Sequence, residues 1–427
     1  MKSHPLAFLA FLFFTTIGFA TPPNVVMIIS DDQAWTDYSF LGHPHVQTPN
    51  IDRLASQSLT FPRAYCPASL CCPSLASIIT GKYPHQHRVT SNDPPLPTAG
   101  RPPDFAKSPS FAEGREIYNR YMDAEQTIPR LLVAHGYLAL QTGKWWQGNF
   151  TRGGFTHGMT KGERHGDVGL DIGRKTMDPI YQFIADAKKA EKPFFVWYAP
   201  MLPHTPHNPP KRLLDLFKDK TPSLPIANYW AMIALFDETI GDLLAHLDKQ
   251  GLTQNTIVLY VTDNGWIQSP NSPNFAPRSK QSPYDGGLRT PLLLRWPEKV
   301  SPARNDSPIS SLDIYPTLLT ACGVKFPAGL PGVNLLDPTA LAARKAVYGD
   351  CYSHNSKDLA KPSASLRWRY LIEDGWKIIV PYAPNEPGSP ELYQLDQDPL
   401  ELKNLANAEP DRIKAMTAKL DAWWTPE

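Results

Sequence analysis

A chain of 427 residues can bury a large core, either as one large domain with a small appendage or as two domains of ordinary size. Its 42 Lys and Arg against 41 Asp and Glu exclude a global field that would draw it to nucleic acid or to an anionic membrane surface. Forty-five prolines, about twice the usual ~5% share, together with 26 glycines point to fixed turns and long loops, the segments that shape binding sites.

Residues 1–20 combine Lys2, an apolar run and small residues ending at Ala20. The pattern reads as a secretory signal peptide cut after Ala20, because the run is too short to span a bilayer comfortably. The mature chain is therefore expected to be secreted or periplasmic, without stable membrane insertion. Five cysteines (Cys66, Cys71, Cys72, Cys322, Cys351) are few and odd in number, which leaves at least one thiol unpaired or chemically used.

Residues 24–30 (NVVMIIS) form a continuous β-rich apolar run, the signature of a strand buried on both faces of a largely parallel sheet. It ends in Asp31-Asp32. Two carboxylates at the C-terminal end of a central strand suit a hard divalent cation, and a solvated turn is the other reading of the pair. Residues 66–81 (CPASLCCPSLASIITG) follow a predicted helix, turn and short strand, and place Cys71 and Cys72 at a helix N-terminus, with Pro73 near the start and Gly81 past the end. Unpaired N–H groups and the helix dipole stabilise an anion there and lower a thiol's pKa; a buried cysteine pair under a helix is the alternative. Residues 91–126 are polar and proline-rich with little periodicity, as expected of a surface insertion near the site or of a loop on the exterior.

A capped short helix over 127–136 and a strand over 137–142 lead to Gly143-Lys144-Trp145-Trp146. A buried strand over 194–198 runs into APMLPHTPH, which holds His204 and His207. A helical stripe over 228–250 is scaffold, and the strand over 256–262 ends in Asp263-Asn264-Gly265. A helix over 311–323 closes the large domain. From about residue 337 short strands, a long loop and a terminal helix over 410–424 form a smaller unit.

Nine fragments stand in the order found in type I sulfatases: PNVVMIISDDQ, TPNIDRLA, CCPSLASIITGKYPH, GYLALQTGKWW, APMLPHTPH, VLYVTDNG, KQSPYDGGLRTP, SLDIYPTLL and ELYQLDQDPLELKNLA. The chain resembles that family, within the alkaline phosphatase superfamily. The resemblance implies an α/β fold with a large, mostly parallel sheet flanked by helices, alkaline phosphatase-like, over residues 21–336. A small C-terminal α+β subdomain, antiparallel sheet plus helix, would occupy 337–427.

The resemblance further implies that Cys71 is converted to formylglycine by a maturation enzyme. Asp31, Asp32, Asp263 and Asn264 would hold Ca2+, or Mg2+, while Lys144 and Lys280 bind sulfate oxygens. One hydroxyl of the hydrated aldehyde would attack sulfur with help from Asp263, and His204 would protonate the departing alcohol. Deprotonation of the second hydroxyl would then expel sulfate. Two positions depart from the family pattern: Leu75 replaces an arginine of the nucleophile motif, and Trp146 replaces a histidine, for which His85, His87 or His157 could substitute. Arg88, Asn92, Arg152, His157 and Arg278 lie in loops near motif ends, and Arg88 and His157 are taken as candidate substrate contacts. The expected activity is hydrolysis of a sulfated small molecule or polysaccharide. The alternatives are a phosphonate or phosphate ester hydrolase of the same superfamily and a catalytically silent binding protein.

Overall fold

The computed structural model describes residues 21–98 and 100–427; the expected signal peptide lies outside them. Nine strands form the large sheet: β1 (Asn24–Ser30), β2 (Leu59–Tyr65), β3 (Leu138–Gly143), β4 (His157–Gly158), β5 (Phe194–Ala199), β6 (Thr256–Thr262), β7 (Arg289–Arg295), β8 (Ala303–Arg304) and β9 (Ile309–Ser310). Their order is β4-β3-β5-β1-β6-β7-β2-β8, with β9 also on β2. Pairing is parallel except where β7 meets β6 and β2.

The longer helices are α1 (Pro49–Ser56), α2 (Cys71–Thr80), α3 (Pro109–Asp123), α4 (Ile128–Ala134), α5 (Asp178–Lys189), α6 (Leu224–Lys249), α7 (Ile314–Ala321) and α8 (Pro410–Trp423). The first seven cover both faces of the large sheet. Val25, Met27 and Ile29 of β1 pack into one core with residues of α2, α3, α4 and α7. Val26 and Ile28 point into the other, with residues of α1, α5 and α6. A strand clothed on both faces has no polar face to alternate with, which is why β1 reads as an unbroken apolar run.

A second sheet holds β10 (Ala346–Tyr352), β11 (Leu366–Glu373), β12 (Trp376–Pro381) and β13 (Glu391–Gln394), all antiparallel. Met416 and Leu420 of α8 cover one of its faces. Lys377 of β12 joins the two sheets. It is fully buried, 2.8 Å from both Asp285 and Glu401.

The stretch expected as a surface loop departs from that expectation, because it contains α3. Ser108 caps this helix, its side chain accepting from the Phe111 N–H, with Pro109 in the first turn. Phe111, Arg115, Tyr118 and Met122 are buried at helical spacing. Arg115 interrupts the apolar stripe in the sequence and nonetheless belongs to it.

Candidate active site

Four segments leave the large sheet at one edge, the C-terminal ends of its central parallel strands. β1 and β6 pair in register through Ser30 and Thr262, so Asp31-Asp32 and Asp263-Asn264 emerge side by side. Asp32 adopts φ 62°, a left-handed conformation that costs a non-glycine residue about 1 kcal/mol or more. Its N–H donates to Asp263 Oδ1 at 3.2 Å. The Asp31 N–H donates to Leu202 O at 2.9 Å, which ties the β1 end to the loop carrying His204.

β3 and β5 end together at Gly143 and Ala199. Gly143 has φ +73°, and a Cβ there would lie 1.9 Å from the Ala199 carbonyl oxygen. Only glycine permits this approach, which lets the Lys144 N–H donate to Ala199 O at 2.6 Å and turns the lysine into the site.

α2 starts at Cys71, after an extended Leu70, and stops at Gly81 with φ 69°. Cys71 Sγ lies 3.1 Å from Lys280 Nζ, 3.9 Å from Asp31 Oδ1 and 4.0 Å from Asp32 Oδ1. Lys144 Nζ sits 2.7 Å from both Asp31 oxygens, and Lys280 Nζ 2.6 and 2.8 Å from those of Asp32. His204 Nδ1 donates to Thr205 O at 2.7 Å, and its Nε2 stands 3.3 Å from Asp32 Oδ2. Asn264 Nδ2 donates to Asp32 Oδ1 at 2.6 Å. The structure thus brings together Asp31, Asp32, Cys71, Lys144, His204, Asp263, Asn264 and Lys280.

Burial dominates the electrostatics. It pushes Cys71 well above the usual thiol range, with the Asp263 carboxylate adding to the effect and Lys144 and Lys280 only opposing it. The thiol-lowering effect expected of a helix N-terminus is therefore overturned, because desolvating a thiolate costs more than the dipole and the lysines return. Burial also drives Asp263 up to about 7, reinforced by Asp31. For Asp32 burial acts upward as well, but Lys280, His204 and Lys144 outweigh it and hold the group down to about 2. Both lysines stay charged despite burial, Lys144 chiefly through Asp31 and Lys280 through Asp32. Burial pulls His204 down to about 3, against the attraction of Asp32. An anionic ester placed beside that ring would raise it.

Asp31, Asp32, Cys71 and His204 offer ligand atoms within 4.8 Å of one another. Asp263 Oδ2 and Asn264 Oδ1 are buried acceptors without a donor. Three buried carboxylates and an amide oxygen, facing two ammonium groups, fit a hard divalent cation such as Ca2+ or Mg2+. The chemistry of the donors and the two orphaned oxygens make that fit.

Leu75 is buried within the core cluster. A guanidinium nonetheless reaches the back of the Cys71-Cys72 turn, from Arg115 of α3. It donates to Asn92 O at 2.9 Å and to Trp146 O, and lies 3.9 Å from Cys72 Sγ. Asn92 Oδ1 accepts the Cys72 N–H at 2.9 Å. Trp146 is buried, with the guanidinium carbons of Arg115 and Arg164 5.2 and 5.1 Å from its ring centre and Lys144 Nζ at 5.8 Å.

The histidines offered as substitutes at position 146 are engaged elsewhere. His85 pairs with Asp350 of β10 and stacks on Trp424, and His87 is buried against Ser77. His157 lies on β4 at the edge of the sheet, bonded to Thr156 and packed on Phe183, lining a cavity of about 390 Å3. Arg88 lines another cavity, of about 480 Å3, with Lys361 and Trp424. Neither of these two candidate substrate contacts has a bond to the cluster at Cys71. Arg152 is spent on Glu116 and Asp123, and Arg278 lies over the Tyr284 ring. The histidine that does stand beside Trp146 is His165, 4.4 Å between ring centres and 6.0 Å from His204. Neither it nor Arg115 is marked by local pattern.

Comparison with known proteins shows which family the chain resembles along its length. Residues 23–324 match the family model described as Sulfatase, and residues 278–423 match the model of the N-sulphoglucosamine sulphohydrolase C-terminal region. The chain is 27% identical over 373 residues to N-acetylgalactosamine-6-sulfatase of Homo sapiens, covering 77% of this chain and 67% of that one. It is 27% identical over 486 residues to arylsulfatase A of Homo sapiens, covering 95% and 90%. A solved protein in complex with its substrate D-glucosamine-2-N,6-O-disulfate superposes with TM-score 0.73 at 21% identity, covering 94% of this chain and 97% of that one.

Proposed function

Because this chain belongs to the sulfatase family, we propose that it hydrolyses a sulfate ester of a carbohydrate with a nucleophile made from Cys71. The observation that carries the reading is the convergence of Lys144, Lys280 and His204 on Cys71 and the paired carboxylates at one strand edge. A sulfate ester resists hydrolysis because the nucleophile must approach a group that is already anionic while charge builds on the leaving oxygen. Fixed positive charge in a buried site answers both difficulties.

In this proposal Lys280 and Lys144 bind non-bridging sulfate oxygens as point charges. His204 has Nδ1 committed to Thr205 O, so Nε2 alone exchanges a proton with the departing alcohol. Asp263 takes the proton of the attacking hydroxyl. A Ca2+ or Mg2+ ion held by Asp31, Asp32, Asp263 and Asn264 would supply polarisation of the ester oxygens. The resemblance of Cys71-Cys72-Pro73-Ser74 to the family's nucleophile motif supports conversion of Cys71 to formylglycine by a maturation enzyme. Residues 21–336 would form the catalytic unit and 337–427 the subdomain beside it.

The names of the relatives support a sulfated sugar as the substrate class. The signal-like residues 1–20 support export, and among the described residues no helix is long and apolar enough to cross a membrane. The test is sulfate release from an aryl sulfate and a panel of sulfated sugars, run beside aryl phosphate and phosphonate. Release from the sulfate esters is expected. No release by protein shown by mass to carry formylglycine would overturn the reading. Faster phosphonate cleavage would favour the phosphonate hydrolase. A Cys71 left unmodified by a host that matures ordinary motifs would favour a silent binding protein.

A further inference from the structure

Loop 164–171 lies directly on the end of β3. A Cβ on Gly166 would come 2.5 Å from Gly143 O and one on Gly169 2.8 Å from the same atom, and the Trp145 N–H donates to His165 O at 3.0 Å. Asp167 fixes the loop from within. Its Oδ2 accepts from Thr160 Oγ1 at 3.0 Å and from the N–H groups of Lys161, Gly162 and Glu163 at 2.8, 3.0 and 3.1 Å. Within this frame His165 is held at φ 69°, a left-handed conformation that strains a histidine and would not strain glycine. Strain of this kind persists only where the surrounding structure fixes it, and it clusters at functional sites.

The surroundings of the ring indicate its use. Arg164 Nη1 lies 2.6 Å from His165 Nε2 and 3.3 Å from Nδ1, a position over the ring face that leaves the in-plane N–H of either tautomer free to donate. Arg164 is itself locked by Asp93 at 2.8 and 3.1 Å. The neighbouring Trp146 has an indole N–H without a partner and no nitrogen that can pass a proton. A separation of 6.0 Å between the His165 and His204 rings leaves room for one oxyanion group to meet both.

We propose that His165 is a substrate-contacting residue of this site, its ring N–H donating to a sulfate oxygen of the bound ester and its orientation set by the Arg164 guanidinium over its face. This rests on the sulfatase reading. Burial and the adjacent Arg164 keep the imidazole neutral, the state that carries a single N–H donor.

Two variants test it. His165→Gly removes the ring and fits φ 69° without strain, and His165→Asn tolerates the same backbone while keeping an N–H donor. For wild type and both variants, kcat and KM on an aryl sulfate, the affinity for inorganic sulfate by calorimetry, and the thermal midpoint are measured. The expected result is a loss of about 100-fold in kcat/KM for His165→Gly with no fall in thermal midpoint, a smaller loss for His165→Asn, and partial recovery of His165→Gly by added imidazole. Sulfate affinity should fall by about tenfold in the glycine variant. Wild-type turnover by His165→Gly, or a loss that imidazole does not relieve and that leaves sulfate affinity unchanged, would overturn the proposal. If the wild type turns over no sulfate ester, the sulfatase reading fails, and the sulfate titration still decides for or against the His165 contact.

Discussion

Replacing Gly143 by alanine should damage stability and activity together, for a reason confined to one strand end. The new Cβ would meet Ala199 O at 1.9 Å, Ala199 C at 2.4 Å and Pro200 N at 2.9 Å, all backbone atoms that cannot rotate away. The ends of β3 and β5 must part by about 1 Å or more, which breaks the bond from Lys144 N–H to Ala199 O. Left-handed backbone costs alanine roughly 1–2 kcal/mol, and a buried carbonyl left without its donor roughly 1–3 kcal/mol, so a loss of about 3 kcal/mol or more is expected. Displacing Lys144 by about 1 Å should lower kcat/KM by about 100-fold.

Gly136→Ala is the control, because Gly136 also has positive φ, +90°, but nothing lies within 4 Å of its notional Cβ. It should lose only the conformational ~1–2 kcal/mol and keep full turnover. Denaturant unfolding and initial rates of both variants decide the matter. A Gly143→Ala protein as stable as Gly136→Ala and as active as wild type would refute the reasoning.

Addition of Ca2+ or Mg2+ to chelator-treated protein should raise its thermal midpoint, by the equivalent of about 2.7 kcal/mol at 100 times Kd, and Asp263→Asn should blunt the rise; an equal rise in that variant would argue against the oxygen set. His87 accepts the Val89 N–H at Nδ1 and bonds Ser77 at Nε2, and burial holds it down to about 3. Its folded pKa is depressed, so its contribution to stability is complete above pH 6.5 and is lost as pH falls from there toward 3, amounting to about 2 kcal/mol at pH 5. Unfolding of His87→Gln between pH 7 and 5 should show a shallower slope by that amount, and identical slopes would remove His87 from the account. Lys377→Met leaves Asp285 and Glu401 buried without their cation and should cost about 3–5 kcal/mol by chemical denaturation, whereas a loss below about 1 kcal/mol would mean that the pair takes up protons and needs no lysine.

The sheet was legible in the sequence where burial leaves a one-dimensional trace. β1 and β6 are apolar throughout because both of their faces are covered, and the acidic pairs follow directly on their last residues. Lys144 and His204 were legible by motif order, and the Gly143 turn explains locally why the lysine points where it does. α3 was hidden because a charged residue occupies its buried stripe: Arg115 is satisfied by carbonyls of Asn92 and Trp146, partners remote in sequence. His165 owes its place to the contact of Gly166 with Gly143, which no local pattern reports. Cys71 shows the limit of an argument from helix ends. The N-terminal position was correct, yet its effect on the thiol reverses once the residue is 1% exposed beside Asp263.

The most direct test of Cys71 as the nucleophile position is release of inorganic sulfate from an aryl sulfate by wild-type and Cys71→Ala proteins purified from the same maturing host. Multiple turnovers by the wild type and none above the uncatalysed rate by Cys71→Ala are predicted. Equal release by the two proteins would contradict it.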